Sequence, residues 1–219
     1  MLIGHYAPAL LLKRARPDVP LWALFVAVET LDFLWSGFVL AGLEHVRIVP
    51  GMNASNALDL YDMPLSHSLV AAVAWGLVGA AVGALAWRGR PGVWGVAGVF
   101  ALAVVSHFAL DLVVHVRDLP LAGAGSAKLG FGLWNSRPTA IAVEAGLFAG
   151  SALFLWRSEA LSGSARRRFA RLGAAMTVGC VVSYFVPTPP SAAAMAVSGL
   201  ALYVGLVWVA WSAERPRRA

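Results

Sequence analysis

The chain has 219 residues, 59% of them hydrophobic and only 13% charged, about half the charged share of a soluble domain. That balance excludes an ordinary soluble globular fold and reads as an integral membrane protein. The formal charge of +6 punctuates apolar runs instead of forming one basic face, which argues against a nucleic-acid surface. The single cysteine, Cys180, excludes an intrachain disulfide and a cysteine-built zinc cage.

The chain opens MLIGHYAPALLLKRAR, with apolar residues ahead of basic ones, the reverse of a secretory signal, so no cleavage is expected. The first dozen residues are too short to span. As a half-helix rising from Lys13 they carry His5 ~12 Å into the membrane, near the depth of Glu29 (~10 Å) and Asp32 (~15 Å) in the next segment. An amphipathic surface segment is the alternative. Spanning segments are expected at about 21–43, 66–87, 92–116, 137–156, 168–186 and 191–211, each near the ~20 residues a bilayer requires.

Six spans place both termini on one side. That side carries thirteen Lys and Arg: Lys13, Arg14, Arg16, Arg88, Arg90, Arg157, Arg166, Arg167, Arg168, Arg171, Arg215, Arg217 and Arg218. The other carries four, Arg47, Arg117, Lys128 and Arg137. Both termini are therefore expected in the cytoplasm. The expected fold is an all-α, polytopic membrane helix bundle of about six transmembrane helices with a short N-terminal half-helix. It forms one integral membrane domain, 1–219, in which 1–160 is a candidate metal-site bundle and 161–219 a two-helix scaffold hairpin. Two long outer loops, 44–65 and 117–137, are rich in Gly, Pro, Asn, charge and aromatics, and loops are where function concentrates.

Ionisable residues inside the spans are costly, and their default reading is a functional site. VETLDFLW puts Glu29 and Asp32 three apart on one helix face. A protonated carboxyl pair packed between helices is the plainer reading of these two. YDMPLSHSL starts the second span with Pro64 in its first turn, and places His67 between Ser66 and Ser68 at ~25 Å from the cytoplasmic edge. SHFALDLVVHVRDLPL closes the third span with His107, Asp111 and His115 in steps of four along one face. His107, at ~23 Å, matches His67 in depth, while His115 stands ~12 Å further along the axis, beyond the reach of an ion held by His107. Glu144 enters the same layer from the fourth span.

Imidazole and carboxylate together suit zinc, with manganese or iron as alternatives, and a catalytic zinc needs three protein ligands and an open position. The expected ligands are His67, His107 and Asp111, with Asp32 or Glu144 as general base and Glu29 beside Asp32 among the catalytic candidates. No Lys or Arg lies at that depth to make a salt-bridge network instead. Lys128 and Asn135 follow in the outer loop, where Lys128 would hold an anionic headgroup and Trp134 would anchor at the interface. An ordinary interfacial loop explains them equally well. Of His45, Asp59, Asp62, His115 and Asp118 around the same mouth, Asp62 and His115 are expected to orient the ligands and the rest to be solvated.

The pieces GHYA at 4–7, MPLSHSL at 63–69 and SHFALD at 106–111 resemble the bacterial membrane-bound metal-dependent hydrolase family, the YdjM-like proteins. They echo its N-terminal Gly-His, its Thr-His-Ser-Leu turn and its Ser-His-x-x-x-Asp helix. LDFLW, SHFALDLVVHVRDLPL and KLGFGLWNS look like a group of six-span bacterial membrane proteins within or near that family. The resemblance covers roughly the first 160 residues. It implies a bacterial inner-membrane location and a metal set of His5, His67, His107 and Asp111. The chain departs from the family's acidic Pro-Asp-x-Asp segment, where LDFLW supplies only Asp32.

The leading expectation is a metal-dependent hydrolase acting on a lipid or lipid-linked ester or phosphoester near the outer leaflet, with membrane lipid as its surroundings and no nucleic-acid partner. A small permease or ion-coupled transporter using Glu29, Asp32 and Glu144 is the alternative from another class, although no internal repeat is visible. A non-catalytic membrane protein with a structural metal is the third.

Overall fold

The structure, a computed structural model, describes residues 1–159 and 163–214, leaving aside the side chains of 164 and 165. Arg215, Arg217 and Arg218 of the orientation count, and the boundary between 160 and 161, lie outside the described residues. A 3-10 turn, Ile3–His5, leads into α1 (Tyr6–Ala15), followed by α2 (Leu21–Val28) and α3 (Thr30–Leu40). Strands β1 (His45–Ile48) and β2 (Leu58–Asp62) pair antiparallel before α4 (Leu69–Ala86) and α5 (Val93–Val114). A second small antiparallel pair, β3 (Leu119–Pro120) and β4 (Lys128–Leu129), precedes α6 (Arg137–Trp156), α7 (Gly163–Ser183) and α8 (Ala192–Glu214).

The chain is a helical bundle. Four helices, α4, α5, α6 and α8, are long and apolar enough to cross a membrane, and α2 with α3 makes a fifth if that pair counts as one span. Helix α7 has the length, at 21 residues, but opens with GSARRRFARLG and is too polar on average to join them. The first expected span is not one straight helix. It bends by 53° at Glu29, where the Val28 carbonyl accepts a hydrogen bond from His107 Nδ1 at 2.7 Å. A side chain inserted into the helical ladder is a recognised cause of such a kink.

The N-terminal segment is inserted, not laid on a surface. Ile3, His5, Tyr6, Ala9 and Leu10 are all buried, and α1 packs against α6 and α2. Its Lys13 end is clasped. Lys13 Nζ pairs with Glu214 Oε1 at 2.7 Å and donates to the carbonyls of Pro17 and Val19. The other Glu214 oxygen accepts the backbone N–H of Leu21, capping the start of α2. One carboxylate thus ties the end of α8 to both α1 and α2.

Helices α4 and α5 approach closely because α4 carries glycine where α5 crosses it. A Cβ on Gly76 would lie 2.7 Å from Val105, and one on Gly83 would lie 3.0 Å from Phe100. Small residues permit such close helix approach in membranes, and here it brings the start of α4, with His67, alongside His107 on α5. At the C-terminal end of α5, the backbone of Phe131 donates to Leu112 and that of Gly132 to His115. Gly130, with φ +149°, runs so close to the Val116 carbonyl that no side chain fits there. The GFG after β4 is therefore what presses this segment onto the end of α5.

Candidate metal centre

Four side chains from three chain segments meet inside the bundle. Asp32 comes from α3 just past the bend, His67 from the turn that starts α4, and His107 and Asp111 from successive turns of α5. His67 Nε2 lies 3.3 Å from His107 Nε2, 3.4 Å from Asp32 Oδ1 and 3.6 Å from Asp111 Oδ2. His107 Nε2 lies 3.7 Å from Asp32 Oδ1 and 3.2 Å from Asp111 Oδ2. A tetrahedral ion with bonds of about 2.0–2.2 Å holds its ligand atoms about 3.3–3.6 Å apart. Three of these five distances fall in that range, and the other two lie 0.1 Å outside it. His67, His107 and Asp111 form one grouping able to hold a metal ion, and His5, Glu29, Asp32 and His107 form another that overlaps it.

The hydrogen bonds behind these rings fix which nitrogen faces inward. A carbonyl only accepts, so His107 Nδ1 must carry the proton it shares with Val28, and the neutral ring leaves its Nε2 lone pair toward the centre. Ser66 Oγ donates to Glu44 Oε2 at 2.5 Å and so accepts from His67 Nδ1 at 2.8 Å, which again leaves Nε2 open. Glu44 itself is buried, and its other oxygen takes the backbone N–H groups of Leu65 and Ser66. His–carboxylate and His–carbonyl pairs of this kind orient metal ligands and raise their basicity.

Asp111 works on both sides. Its Oδ2 faces the two imidazoles, while Oδ1 receives His5 Nε2 at 3.0 Å and the Met1 amine at 2.9 Å, with His115 Nε2 standing 3.5 Å away. His5 thus donates to Asp111 with one nitrogen and directs the other toward Glu29, 3.9 Å away. His115 donates from Nδ1 to Asp118 at 2.9 Å and stacks on Trp134, with ring centres 4.2 Å apart. Asp32 spends its second oxygen on the Tyr203 hydroxyl, at 3.0 Å.

The three acids expected to act as bases occupy different positions. Asp32 stands at ligand distance from both imidazoles. Glu144 is fully engaged: Oε1 takes the backbone N–H of Leu2, and Oε2 takes Cys180 Sγ at 3.3 Å and the Tyr184 hydroxyl at 3.1 Å. Glu29 is wholly buried, and neither oxygen has a hydrogen-bond partner; Tyr6 Oη and His5 Nδ1 are orphaned in the same way. Buried polar atoms without partners are rare and mark a place where something polar belongs.

A cavity of about 230 Å³ opens onto the centre, lined by Asp32, His67, Asp111, His115, Glu144 and Trp134 among others. Of the loop residues, Asp62 turns away and pairs with His45 at 2.7 Å across β1 and β2, so it does not orient a ligand. Asp59 pairs with Arg47. Lys128 donates to the Tyr61 carbonyl at 2.6 Å, at the rim, and Asn135 closes the 3-10 turn Leu133–Asn135. Sequence reasoning missed Glu44, Asp118 and Tyr203 as supports of the centre. Asp118 had a signal, lying three residues from His115; Glu44 and Tyr203 had none, because their partners are distant in the chain. No family model, curated protein or solved structure matches this chain.

Proposed function

We propose that the protein is a membrane-embedded metal-dependent hydrolase of the YdjM-like kind, acting on a lipid or lipid-linked ester or phosphoester near the outer leaflet of a bacterial inner membrane. The observation that carries this reading is the set of five distances of 3.2–3.7 Å among Asp32, His67, His107 and Asp111. In this reading the chain crosses the membrane six times, α7 included, with both termini in the cytoplasm, as the basic residues favour.

His67, His107 and Asp111 would hold the ion, leaving its fourth position open beside Asp32, and a two-imidazole, one-carboxylate set suits zinc, with manganese or iron as substitutes. Such an ion supplies Lewis acidity, lowering the pKa of water to about 7 and polarising an ester or phosphoryl oxygen. His115 carries the proton: Asp118 holds its Nδ1–H, and its Nε2 faces the chamber beside Asp111. That is the oriented-imidazole arrangement of general acid–base catalysis. Glu144, saturated with donors, instead locks the N-terminal segment onto α6 and α7. Glu29 balances the charge behind the centre, and Lys128 at the rim meets an anionic headgroup.

The test is the metal content of detergent-purified protein by elemental analysis, wild type beside His107→Ala, Asp111→Ala and His115→Gln. About one zinc or manganese per chain is expected in wild type and in His115→Gln, with almost none in the other two. Turnover of lipid esters or phosphoesters is then lost in all three. No metal at any loading, with the variants still folded, overturns the reading and turns attention to proton flux through Glu29, Asp32 and Glu144.

A further inference from the structure

A second and larger cavity, about 970 Å³, lies between α7 and α8. Its α8 wall runs from Met195 to Ala213, about 27 Å at 1.5 Å per residue, close to the ~30 Å of bilayer hydrocarbon. The walls are apolar along this length, with Leu172, Met176, Leu202 and Leu206 among them. Polar residues stand at the two ends: Ser55 and Asn56 from the outer loop, and Arg168 and Arg171 on α7. Small residues deepen the groove, since Ala175 and Gly179 line it one turn apart and a Cβ on Gly179 would meet nothing.

This cleft is continuous with the chamber over the metal centre. Leu2, Asn56, Leu58, Ser183, Met195 and Tyr203 line both. Tyr203 stands on the border, its hydroxyl on Asp32 and its ring over Gly199. A molecule lying in the cleft therefore presents one end to the His/Asp cluster without leaving the membrane.

We propose that the cleft holds one long hydrocarbon chain of a polyprenyl-type lipid phosphate, with the phosphate end in the chamber beside Asp32 and Tyr203. Length selects the occupant. A fatty acyl chain fills one leaflet, about half of the ~30 Å of hydrocarbon, whereas the cleft runs through nearly all of it. A chain moving from lipid into this groove exchanges hydrocarbon for hydrocarbon, so the groove adds little affinity by itself. Its effect is alignment, and the polar end supplies retention. A transmembrane helix would also cover an apolar groove, but it carries no reacting bond to the chamber. The proposal rests on the hydrolase reading for the metal that would offset the phosphate's charge among these carboxylates and for the fate of the phosphate end.

The experiment is photo-crosslinking in nanodiscs with undecaprenyl phosphate bearing a diazirine at the far end of its chain, beside phosphatidylglycerol bearing one at the end of a hexadecanoyl chain. Labelled residues are mapped by mass spectrometry. The polyprenyl probe is expected to label the Arg171 end of the cleft, at Leu172, Leu206 and Val209, and the phosphatidylglycerol probe is not. Gly179→Leu, which fills the groove, should abolish this labelling. Val178→Leu, exposed on α7 and outside the lining of the cleft, should leave it intact. Ala175→Leu serves as a second block should Gly179→Leu fail to fold.

Labelling scattered over α4 and α5 as densely as over the cleft, or unchanged by both blocking variants, overturns the proposal. So does deep labelling by phosphatidylglycerol alone, or a crosslink to another protein chain at these positions. The two readings fail separately. Deep labelling without any turnover keeps the cleft and sinks the hydrolase, while turnover of short-chain esters without deep labelling does the reverse.

Discussion

Buried charge is handled in two ways in this bundle. At the end where α1, α2 and α8 meet, Lys13 sits against Glu214 at 2.7 Å, and every remaining donor and acceptor of the pair has a backbone partner nearby. In the chamber, four carboxylates (Glu29, Asp32, Asp111 and Glu144) gather with four imidazoles and, among the described residues, no Lys or Arg. The Met1 amine lies on the far oxygen of Asp111, away from the His67–His107 pair. The first region is complete as it stands. The second has inward lone pairs at tetrahedral spacing and orphaned oxygens behind them, which is how a site differs from a clasp.

The largest effect outside the ligands themselves is expected at Glu44. Its carboxylate accepts three hydrogen bonds, from Leu65 N, Ser66 N and Ser66 Oγ, and through Ser66 it decides which nitrogen His67 offers. With its oxygen kept on the two backbone N–H groups, Glu44→Gln turns an amide donor toward Ser66 Oγ, which then donates to His67 Nδ1 and moves that ring's proton to Nε2. Metal affinity should fall roughly 10–100-fold, the usual cost of losing an outer partner, measured by competition with a chromophoric chelator. An affinity within twofold of wild type would detach Glu44 from the centre.

The clasp should respond oppositely. Lys13→Met removes the cation and two donors to carbonyls while Glu214, its side chain 24% exposed, remains partly hydrated. A loss of about 1–3 kcal/mol is expected, the cost of leaving buried acceptors unpaired, read as a lower unfolding midpoint in detergent. Metal content should not change. If Lys13→Met loses metal as well, the two regions are coupled and the comparison fails.

Much of this was legible in the chain. Apolar runs announced four of the six expected spans, and a fifth if α2 and α3 count as one, and steps of four placed His107 and Asp111 on one face. Depth counting brought His67 to His107 and His5 to Glu29. The bend at Glu29 was not legible, because its cause is a hydrogen bond to an imidazole seventy-nine residues away. Nor was the role of Asp32, since three-apart spacing with Glu29 says nothing of which carboxylate turns toward α4. The α7–α8 cleft was invisible for a different reason. Helix periodicity reports which faces are apolar, but in a membrane both packed and lipid-facing surfaces are apolar, so the pattern cannot tell a joint from a groove.

The smallest effect, expected at Asp62, tests the same logic from the other side. Asp62 and Glu44 flank the same outer loop, are both acids, and are separated by eighteen positions in sequence; only geometry distinguishes them. Asp62 pairs with His45 on the exposed β1–β2 ladder, side chains 27% and 49% exposed, whereas Glu44 is 1% exposed and bonded into the turn that carries His67. An exposed ion pair contributes about 0–1 kcal/mol and is screened by salt. Asp62→Asn should therefore leave metal affinity unchanged and shift stability by no more than about 0.5 kcal/mol. If Asp62→Asn instead matched Glu44→Gln in metal loss, the outer hairpin itself would be holding the centre in place. Orientation of His67 would then depend on the whole loop rather than on the Glu44–Ser66 relay.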